Sequence, residues 1–276
     1  MKVGVVGHVE YIEFAVVERL PRQGEIIHAE ETFMAAAGGG GVAAVQLAKL
    51  AGGSSLYTAL GDEPLGHRSK QELEQRGVQV EAAFRDRPQR RGFTYLDDDG
   101  ERTITTIHAR YGPSGRDPLA WQELDDFDSI YFVSGDAAAL REARRAGVLV
   151  ATARSLPVLQ EAGVELDALV HSSKDTGERY SAGQLEPPPK LVVGTAGSEG
   201  GTWTGVEGRT GSFHAAPIPG PVVDAYGAGD SFAAALTFAL GKGLGIEDAL
   251  ALAARCGAAT LTGRGPFERQ LGAADL

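Results

Sequence analysis

The sequence is poor in the residues that bind metals or form disulfides. Its single cysteine, Cys256, excludes an internal disulfide and is typical of a reducing compartment. Because Cys256 ends an alanine-rich segment, 249–256, we predict a buried helical position rather than a nucleophile. The six histidines form no His-Glu-x-x-His and no His/Cys pair at ligand spacing, so we expect no zinc site.

Long apolar runs and dense basic runs are also lacking. No apolar stretch approaches the roughly 18 residues that span a bilayer, and polar His8 and Glu10 interrupt the first apolar segment too soon for a signal peptide. With a formal net charge of −11 and scattered Lys and Arg, the chain is unsuited to neutralising nucleic-acid phosphates. We therefore predict a cytoplasmic protein with neither nucleic-acid nor membrane partners.

What is present predicts an α/β fold with a largely parallel central sheet. Short β-branched runs alternate with helical patterns over 276 residues, enough for one large domain spanning 1–276. The predicted strands are 3–6, 55–60, 129–133, 148–151, 168–170 and 191–194. The predicted helices are 42–50, 69–76, 230–240 and 246–261.

Two stretches break this alternation. Residues 91–96 and 102–107 flank the polar segment 97–100 and predict a hairpin, and residues 14–33 read as extended chain. Both could belong to a small sheet outside the main one, forming a lid from segments 11–33 and 91–107. Such a lid could also be shared between two subunits of a homodimer. The alternative is two surface hairpins with no closing role.

The segment Asp224 to Asp230 carries the clearest chemistry. Gly227, Ala228 and Gly229 leave the backbone open, so amide groups can approach an anion. The helix that follows adds unpaired N–H groups and the positive end of its dipole. A carboxylate here could take a proton from an attacking hydroxyl while the amides hold a phosphoryl group. The simpler reading of Asp230 is an acid that stabilises a helix start.

Asp230 presents a conflict at this stage. A helix N-terminus favours the charged carboxylate, which lowers its pKa and weakens it as a base. Phosphoryl transfer tolerates a weak base, because its loose transition state needs mainly positioning and charge stabilisation.

Five ordered segments together resemble the ribokinase-like (pfkB) carbohydrate kinase family. The segment 224–232 resembles its C-terminal signature, and Gly38 to Gly41 its N-terminal diglycine signature. The others are 61–66, resembling its Gly-Asp-x-x-x-Gly turn, 195–200, resembling its nucleotide loop, and 21–25, resembling its Pro-x-x-Gly-Glu. The resemblance spans roughly residues 3 to 266.

The resemblance implies a three-layer α/β/α domain with a β-sheet lid, and ATP- and Mg²⁺-dependent phosphorylation of a hydroxyl, typically a CH₂OH. It leaves a monovalent-cation requirement open. Asp230 would be the catalytic base, and Gly227, Ala228 and Gly229 the anion hole. The implied nucleotide-binding residues are Thr195, Gly197, Gly200, Asp224, Ser172 and Asp175. Of these, Ser172 and Asp175 replace the family's usual Asn-x-x-Glu, and Asp175 would hold Mg²⁺ through water.

The sugar-binding side departs from the family pattern. Ile12 stands where an Asp that binds two sugar hydroxyls is usual, and Ala43 near the expected Asn. An apolar side chain cannot accept these hydrogen bonds. We therefore predict substrate contacts from His8, Glu10, Gly38, Gly39 and Gly41. The acceptor could be a sugar, a nucleoside or another alcohol, and His8 and Glu10 could equally form a turn without a ligand.

Gly38 to Gly41 could be a flexible linker, but it runs straight into an apolar helix, which favours a tight turn facing a ligand. The altered positions also leave open a non-catalytic sensor of nucleotide or metabolite. A dinucleotide-dependent oxidoreductase is disfavoured, because the segment 4–8 lacks the third glycine of that fingerprint. No Walker-type phosphate loop occurs.

Overall fold

A nine-stranded, mostly parallel sheet forms the centre of the molecule. The computed structural model describes residues 1–97 and 102–276. The strand order is β13-β12-β11-β10-β9-β8-β1-β4-β5, with β12 antiparallel to both of its neighbours and the other pairs parallel. The strands are β1 (Val3–Val6), β4 (Ser54–Gly61), β5 (Val78–Arg85), β8 (Ser129–Phe132), β9 (Val148–Thr152), β10 (Ala168–Ser172), β11 (Leu191–Thr195), β12 (Gly201–Gly205) and β13 (Thr210–Phe213).

Four further strands form a separate sheet in the order β3-β2-β6-β7. They are β2 (Glu10–Val16), β3 (Glu31–Ala37), β6 (Arg91–Leu96) and β7 (Arg102–Ile107). The predicted hairpin is confirmed, since β6 and β7 pair antiparallel, and β2 joins them by pairing parallel to β6. The polar turn predicted at 97–100 lies, from residue 98 on, outside the described residues.

In the described residues, six α-helices flank the large sheet. They are α1 (Gly38–Ala51), α2 (Pro64–Glu74), α3 (Ala137–Ala143), α4 (Leu156–Ala162), α5 (Ala228–Gly241) and α6 (Ile246–Thr260). The sequence did not lead us to α3 and α4, because seven residues are too few to show a helical period. Cys256 is buried in α6, as predicted. None of the helices within the described residues is long and apolar enough to cross a membrane.

Two apolar cores lie on opposite faces of the large sheet. One contains the buried faces of α1, α5 and α6, with Leu47, Leu236 and Leu250 fully or almost fully buried. The other contains Leu140 of α3 and Leu159 of α4 with Phe132 of the sheet. The predicted three-layer α/β/α arrangement is therefore confirmed.

The carboxyl ends of the parallel strands meet along one edge of the large sheet. His8 follows β1, Ser134 follows β8 and Arg154 follows β9, while Ser172 and Thr195 end β10 and β11. Because ligands of open α/β sheets bind outside these ends, the topology gathers residues far apart in sequence into one crevice.

Candidate active site

Asp230 lies in the first turn of α5, directly after a glycine turn. Gly227 has a φ of +84°, in the left-handed region, and a Cβ there would lie 2.9 Å from Cγ1 of Val42. Glycine is therefore required both by the backbone and by the packing of this turn. At Gly229, by contrast, a Cβ would meet nothing within 4 Å, so the backbone here is open.

The environment of Asp230 reverses the expectation that the helix dipole would weaken it as a base. Burial raises its pKa to about 6, and the charges of Glu178 and Glu10 act in the same direction. Arg102 and Arg154 oppose this shift without cancelling it. The prediction of a lowered pKa was wrong, because desolvation in the crevice outweighs the dipole. A carboxylate with this pKa is ionised at neutral pH yet basic enough to accept a proton.

Two helix starts converge on Asp230. A Cβ on Gly39, in the first turn of α1, would lie 2.9 Å from Oδ1 of Asp230, so the two first turns touch. At α1 the Gly38 amide donates to the Tyr226 hydroxyl and the Gly40 amide to the His8 carbonyl, which leaves Gly39 between them. At α5 the N-cap residue is Gly227, which has no side chain to cap the helix, so the amides of its first turn favour an anion.

The glycine run belongs to α1 itself rather than to a turn before it. A Cβ on Gly40 would lie 2.6 Å from the carbonyl oxygen of His8, and one on Gly38 would lie 2.9 Å from the amide of Glu10. Because these residues have no side chains, the start of α1 can pack directly against the backbone of residues 7–10. Gly41 differs, because it faces Leu73 of α2 rather than the crevice, and our prediction of a substrate contact there is not supported by its position.

Tyr226 links the 224–230 loop to α1 and to the small sheet. Its hydroxyl accepts a hydrogen bond from the Gly38 amide at 3.2 Å, and its ring packs edge-on against Phe14 of β2, with centroids 5.3 Å apart. Arg102 of β7 donates a hydrogen bond to the Ala225 carbonyl and lies 5.7 Å above the Tyr226 ring. The small sheet is therefore anchored directly on the loop that presents Asp230.

His8 and Glu10 form a buried polar pair beside the helix start of α1. Nδ1 of His8 lies 3.0 Å from Oγ of Ser134, and Nε2 lies 3.6 Å from Oε1 of Glu10. The same Glu10 oxygen lies 2.5 Å from Nε of Arg90. Burial lowers the pKa of His8 well below its usual value, and nearby arginines add to the effect, so the imidazole is neutral.

The predicted nucleotide loop follows β11 as a tight turn. Gly197 and Gly200 have positive φ values of +62° and +81°, and the Ala196 amide donates to the Gly200 carbonyl at 2.7 Å. At Gly200 a Cβ would lie 2.1 Å from the Phe213 carbonyl oxygen, so only glycine fits. Thr195 turns its hydroxyl back to the His171 carbonyl at 3.2 Å. Backbone contacts thus shape the loop, and its residues 197–199 are exposed to solvent.

Asp175 and Ser172 fit a Mg²⁺ ion that is held mainly by phosphates and water. Ser172 Oγ accepts from the Asp175 amide at 3.1 Å, and the Asp175 carboxylate accepts from Gly177 at 2.8 Å and from Arg154 at 2.6 Å. These bonds lower the pKa of Asp175. Within residues 1–97 and 102–276 no three acidic, His or Cys side chains cluster as metal ligands. Mg²⁺ commonly needs only one or two carboxylates beside substrate phosphates.

Asp224 holds the loop together rather than facing the crevice. It is fully buried, and its two oxygens accept hydrogen bonds from the amides of Tyr226 at 2.7 Å and Gly265 at 3.1 Å. Burial raises its pKa. Any effect of Asp224 on a nucleotide has to pass through the loop that it positions.

Several crevice residues were missed by sequence reasoning. They are four arginines, the acid that pairs with Arg154, and the serine that bonds His8. In order, these residues are Arg90, Arg102, Arg110, Arg154, Glu178 and Ser134. Arg154 and Ser134 could have been found from their places just after predicted strands. The other arginines belong to the small sheet and its flanks, and no local pattern marks them.

Comparison with known protein families shows to which family the chain belongs. The model of the pfkB family carbohydrate kinases matches residues 1–154 and 164–269. The chain belongs to this family. It is therefore a phosphotransferase of the sugar and nucleoside kinase group, in which alcohols are the acceptors and ATP is the usual donor.

Individual relatives differ in what they act on. The chain is 26% identical to a fructokinase of Salmonella typhimurium, over 83% of this chain and 88% of that one. It is 29% identical to an ATP-dependent ribose-1-phosphate kinase of Halopiger xanaduensis, over 92% and 90%. A solved ribokinase of Thermotoga maritima shares its fold with a TM-score of 0.80, at 21% identity, covering 99% and 97% of the two chains.

Proposed function

We propose that this chain transfers the γ-phosphoryl group of ATP to a hydroxyl, a CH₂OH group, of a sugar or sugar derivative. The observation that carries the proposal is Asp230, with a pKa raised to about 6, placed in the first turn of α5 and against Gly39 at the start of α1. The relatives named as fructokinase and ribose-1-phosphate kinase support a sugar-type acceptor.

In the proposed reaction, Asp230 removes the proton of the acceptor hydroxyl as its oxygen attacks the γ-phosphorus. The bond between that phosphorus and the bridging oxygen breaks, and ADP leaves. The amides of Ala228 and Gly229 face the charge that develops on the transferred group. Asp175 and Ser172 would hold Mg²⁺ through water beside the nucleotide phosphates, and the ion would supply positive charge that offsets part of theirs.

The acceptor side of the crevice lies next to His8 and Glu10. Ile12 is fully buried in the core, and a Cβ on Gly92 would lie 2.4 Å from its Cδ1. Ala43 is likewise fully buried, in α1. Because neither can contact a substrate, recognition of acceptor hydroxyls falls to His8 and Glu10.

The test of this proposal is Asp230→Asn, assayed by ADP formation against a panel of sugars, sugar derivatives and nucleosides with ATP and Mg²⁺. We expect kcat to fall by about 10²- to 10⁴-fold, because the general base is lost while the amides remain. Nucleotide binding, measured by calorimetry, should persist. Asp248→Asn is the matched control, since Asp248 is an exposed acid in the first turn of α6.

Two results would contradict the assignment. An Asp230→Asn enzyme as active as the parent would remove Asp230 as the base. A parent protein that phosphorylates nothing, combined with metabolite binding unaffected by Asp230→Asn, would favour the non-catalytic sensor. Preference for nucleosides over sugars would instead select the nucleoside kinase reading.

A further inference from the structure

A largely buried arginine lies against Glu10. The chain segments that carry the two residues are joined by hydrogen bonds on either side of the pair. Nε2 of Gln89 donates to the Val9 carbonyl at 2.7 Å. The Tyr11 amide donates to the Arg90 carbonyl at 2.9 Å. Nε of Arg90 lies 2.5 Å from Oε1 of Glu10, and the two side chains are only 12% and 9% exposed. The two charges therefore meet largely out of water.

Arg90 fixes both the charge and the direction of the Glu10 carboxylate. A carboxylate that is removed from water is costly unless a cation pairs with it. Elsewhere on the same guanidinium group, Nη1 lies 3.5 Å from the His108 carbonyl oxygen, in the segment after β7. Because its guanidinium group is held at two points, Arg90 leaves the Glu10 side chain little freedom to turn.

His8 lies between Ser134 and this carboxylate. Nδ1 of His8 is 3.0 Å from Oγ of Ser134, whereas Nε2 is 3.6 Å from Oε1 of Glu10, beyond a normal hydrogen bond. The imidazole is neutral, so one ring nitrogen carries a hydrogen and the other accepts one. The nearby carboxylate favours the hydrogen on Nε2, and Nδ1 then accepts a hydrogen bond from the Ser134 hydroxyl.

The gap between Nε2 of His8 and the Glu10 carboxylate suits a hydroxyl group. An oxygen about 2.8 Å from each atom is compatible with their separation of 3.6 Å. Such a hydroxyl would accept a hydrogen bond from Nε2–H and donate one to the carboxylate, which has no hydrogen of its own to donate. In the described part of the chain, Nε2 forms no hydrogen bond that would compete with it.

His8 also borders the space beside the base. A Cβ on Gly39 would lie 2.9 Å from Oδ1 of Asp230 and 3.6 Å from Cε1 of His8, so both side chains face one space at the start of α1. A Cβ on Gly38 would lie 3.3 Å from Cδ2 of His8. An acceptor that presents one hydroxyl to Asp230 can therefore bring another hydroxyl to His8 and Glu10.

We infer that Arg90 and Ser134 are positioning residues for the acceptor: Arg90 orients the Glu10 carboxylate, and Ser134 holds His8 with its hydrogen on Nε2. One hydroxyl of the acceptor, other than the one that is phosphorylated, then bridges His8 and Glu10. This inference rests on the proposed kinase function. Arg90 and Ser134 do not touch the acceptor in this arrangement, and each acts through its partner.

The position of the hydrogen on His8 can be measured without any substrate. Long-range proton–nitrogen correlation spectra of protein labelled with nitrogen-15 histidine distinguish the two ring nitrogens, and His8→Gln identifies the His8 signals. We expect the hydrogen on Nε2 at neutral pH, and a mixture of both forms in Ser134→Ala, because Nδ1 loses its donor. A hydrogen on Nδ1 in the parent protein, or a Ser134→Ala spectrum like that of the parent, overturns the inference.

Kinetics then test Arg90, with the most active acceptor from the panel of sugars, sugar derivatives and nucleosides. We expect Arg90→Ala to raise the KM for this acceptor by about 10- to 100-fold and to leave the KM for ATP nearly unchanged, because only the acceptor meets Glu10. Arg90→Lys should lose less, and guanidinium ion added at a non-denaturing concentration should restore part of the activity of Arg90→Ala. Arg91→Ala is the matched control and should change neither constant, since Arg91 is 42% exposed and lies 3.8 Å from Glu13.

Deoxy analogues of the same acceptor locate the bridging hydroxyl. Each analogue keeps the hydroxyl that is phosphorylated and lacks one of the others. We expect one analogue to lose about 100-fold in kcat/KM with the parent enzyme, because it leaves His8 and Glu10 unpaired. With Arg90→Ala the same analogue should lose much less, since the carboxylate is no longer oriented. Equal losses with the two enzymes would overturn the inference.

A double variant shows whether Arg90 acts through Glu10. In Glu10→Gln there is no carboxylate to orient, so adding Arg90→Ala should raise the KM for the acceptor no further. Additive effects, or a loss that neither lysine nor guanidinium restores, would mean that Arg90 only stabilises the fold, and would overturn the inference. A protein that phosphorylates no compound of the panel contradicts the proposed kinase function and the acceptor contact with it, whereas the spectra decide the state of His8 in either case.

Discussion

At the scale of single residues, burial decides the chemistry of the site. Asp230 sits where a helix dipole should lower its pKa, yet desolvation raises that pKa to about 6. Tyr226, fully enclosed beside it, likewise has its pKa raised by burial. In both cases burial disfavours the charged form of the group, and Phe14 of the small sheet and Gly39 of α1 pack against Tyr226 and Asp230 respectively.

The pH dependence of the reaction should report the ionisation of Asp230. The base works only when deprotonated, so kcat/KM should rise about tenfold per pH unit below pH 6 and level off above pH 7. The measurement is a pH profile with a stable buffer series and saturating ATP and Mg²⁺. The residual activity of Asp230→Asn should not show this rise of kcat/KM with pH. If the rise persists in that variant, a group other than Asp230 is responsible for it.

At the scale of elements, the start of α1 needs its glycines because neighbouring segments approach the helix closely, and not because the chain must be flexible there. Gly39 touches Asp230, while Gly40 lies against the carbonyl of His8 and donates its amide to the same oxygen at 3.1 Å. Larger side chains would push α1 away from the crevice. The run therefore joins the segment that carries His8 to the first turn of α5, where Asp230 lies.

Gly40 and Gly41 form a matched pair for testing this explanation. We expect Gly40→Ala to lower Tm and activity, because its Cβ would lie 2.6 Å from a backbone oxygen. Gly41→Ala should be neutral or stabilising by up to about 1 kcal/mol, because alanine favours a helix and its Cβ would meet atoms no closer than 3.6 Å. Thermal unfolding and the ADP assay check both variants. Equal effects of the two substitutions would contradict the steric account.

At the scale of the whole molecule, the small sheet is joined to the catalytic loop at two points. Phe14 packs against Tyr226, and Arg102 bonds the Ala225 carbonyl. Such contacts suit a lid that closes over the crevice and keeps water from the transferred phosphoryl group. The lid role stays a prediction, as does the homodimer through this sheet, on whose surface Met34 and Ile104 are exposed.

Lid closure should be visible by hydrogen exchange. We expect amides in β2, β6 and β7 to exchange more slowly when an acceptor and a non-hydrolysable ATP analogue are both bound, because closure reduces their opening. Amides of β9, in the middle of the large sheet, serve as the internal control. Unchanged exchange across 91–96 and 102–107 under saturating ligands would argue for the alternative of two surface hairpins.

The sequence determined the fold class and the reaction type and predicted Asp230 as the base, because these depend on local patterns. Strand and helix periods are read within one segment, and the Gly227 to Asp230 turn is contiguous. The tertiary structure alone decided the rest. It brought Arg90 to Glu10, Arg102 to the Ala225 carbonyl and Arg154 to Asp175, and it buried Asp230 enough to raise its pKa. Charge and desolvation at a site depend on distance in space, which no local pattern records.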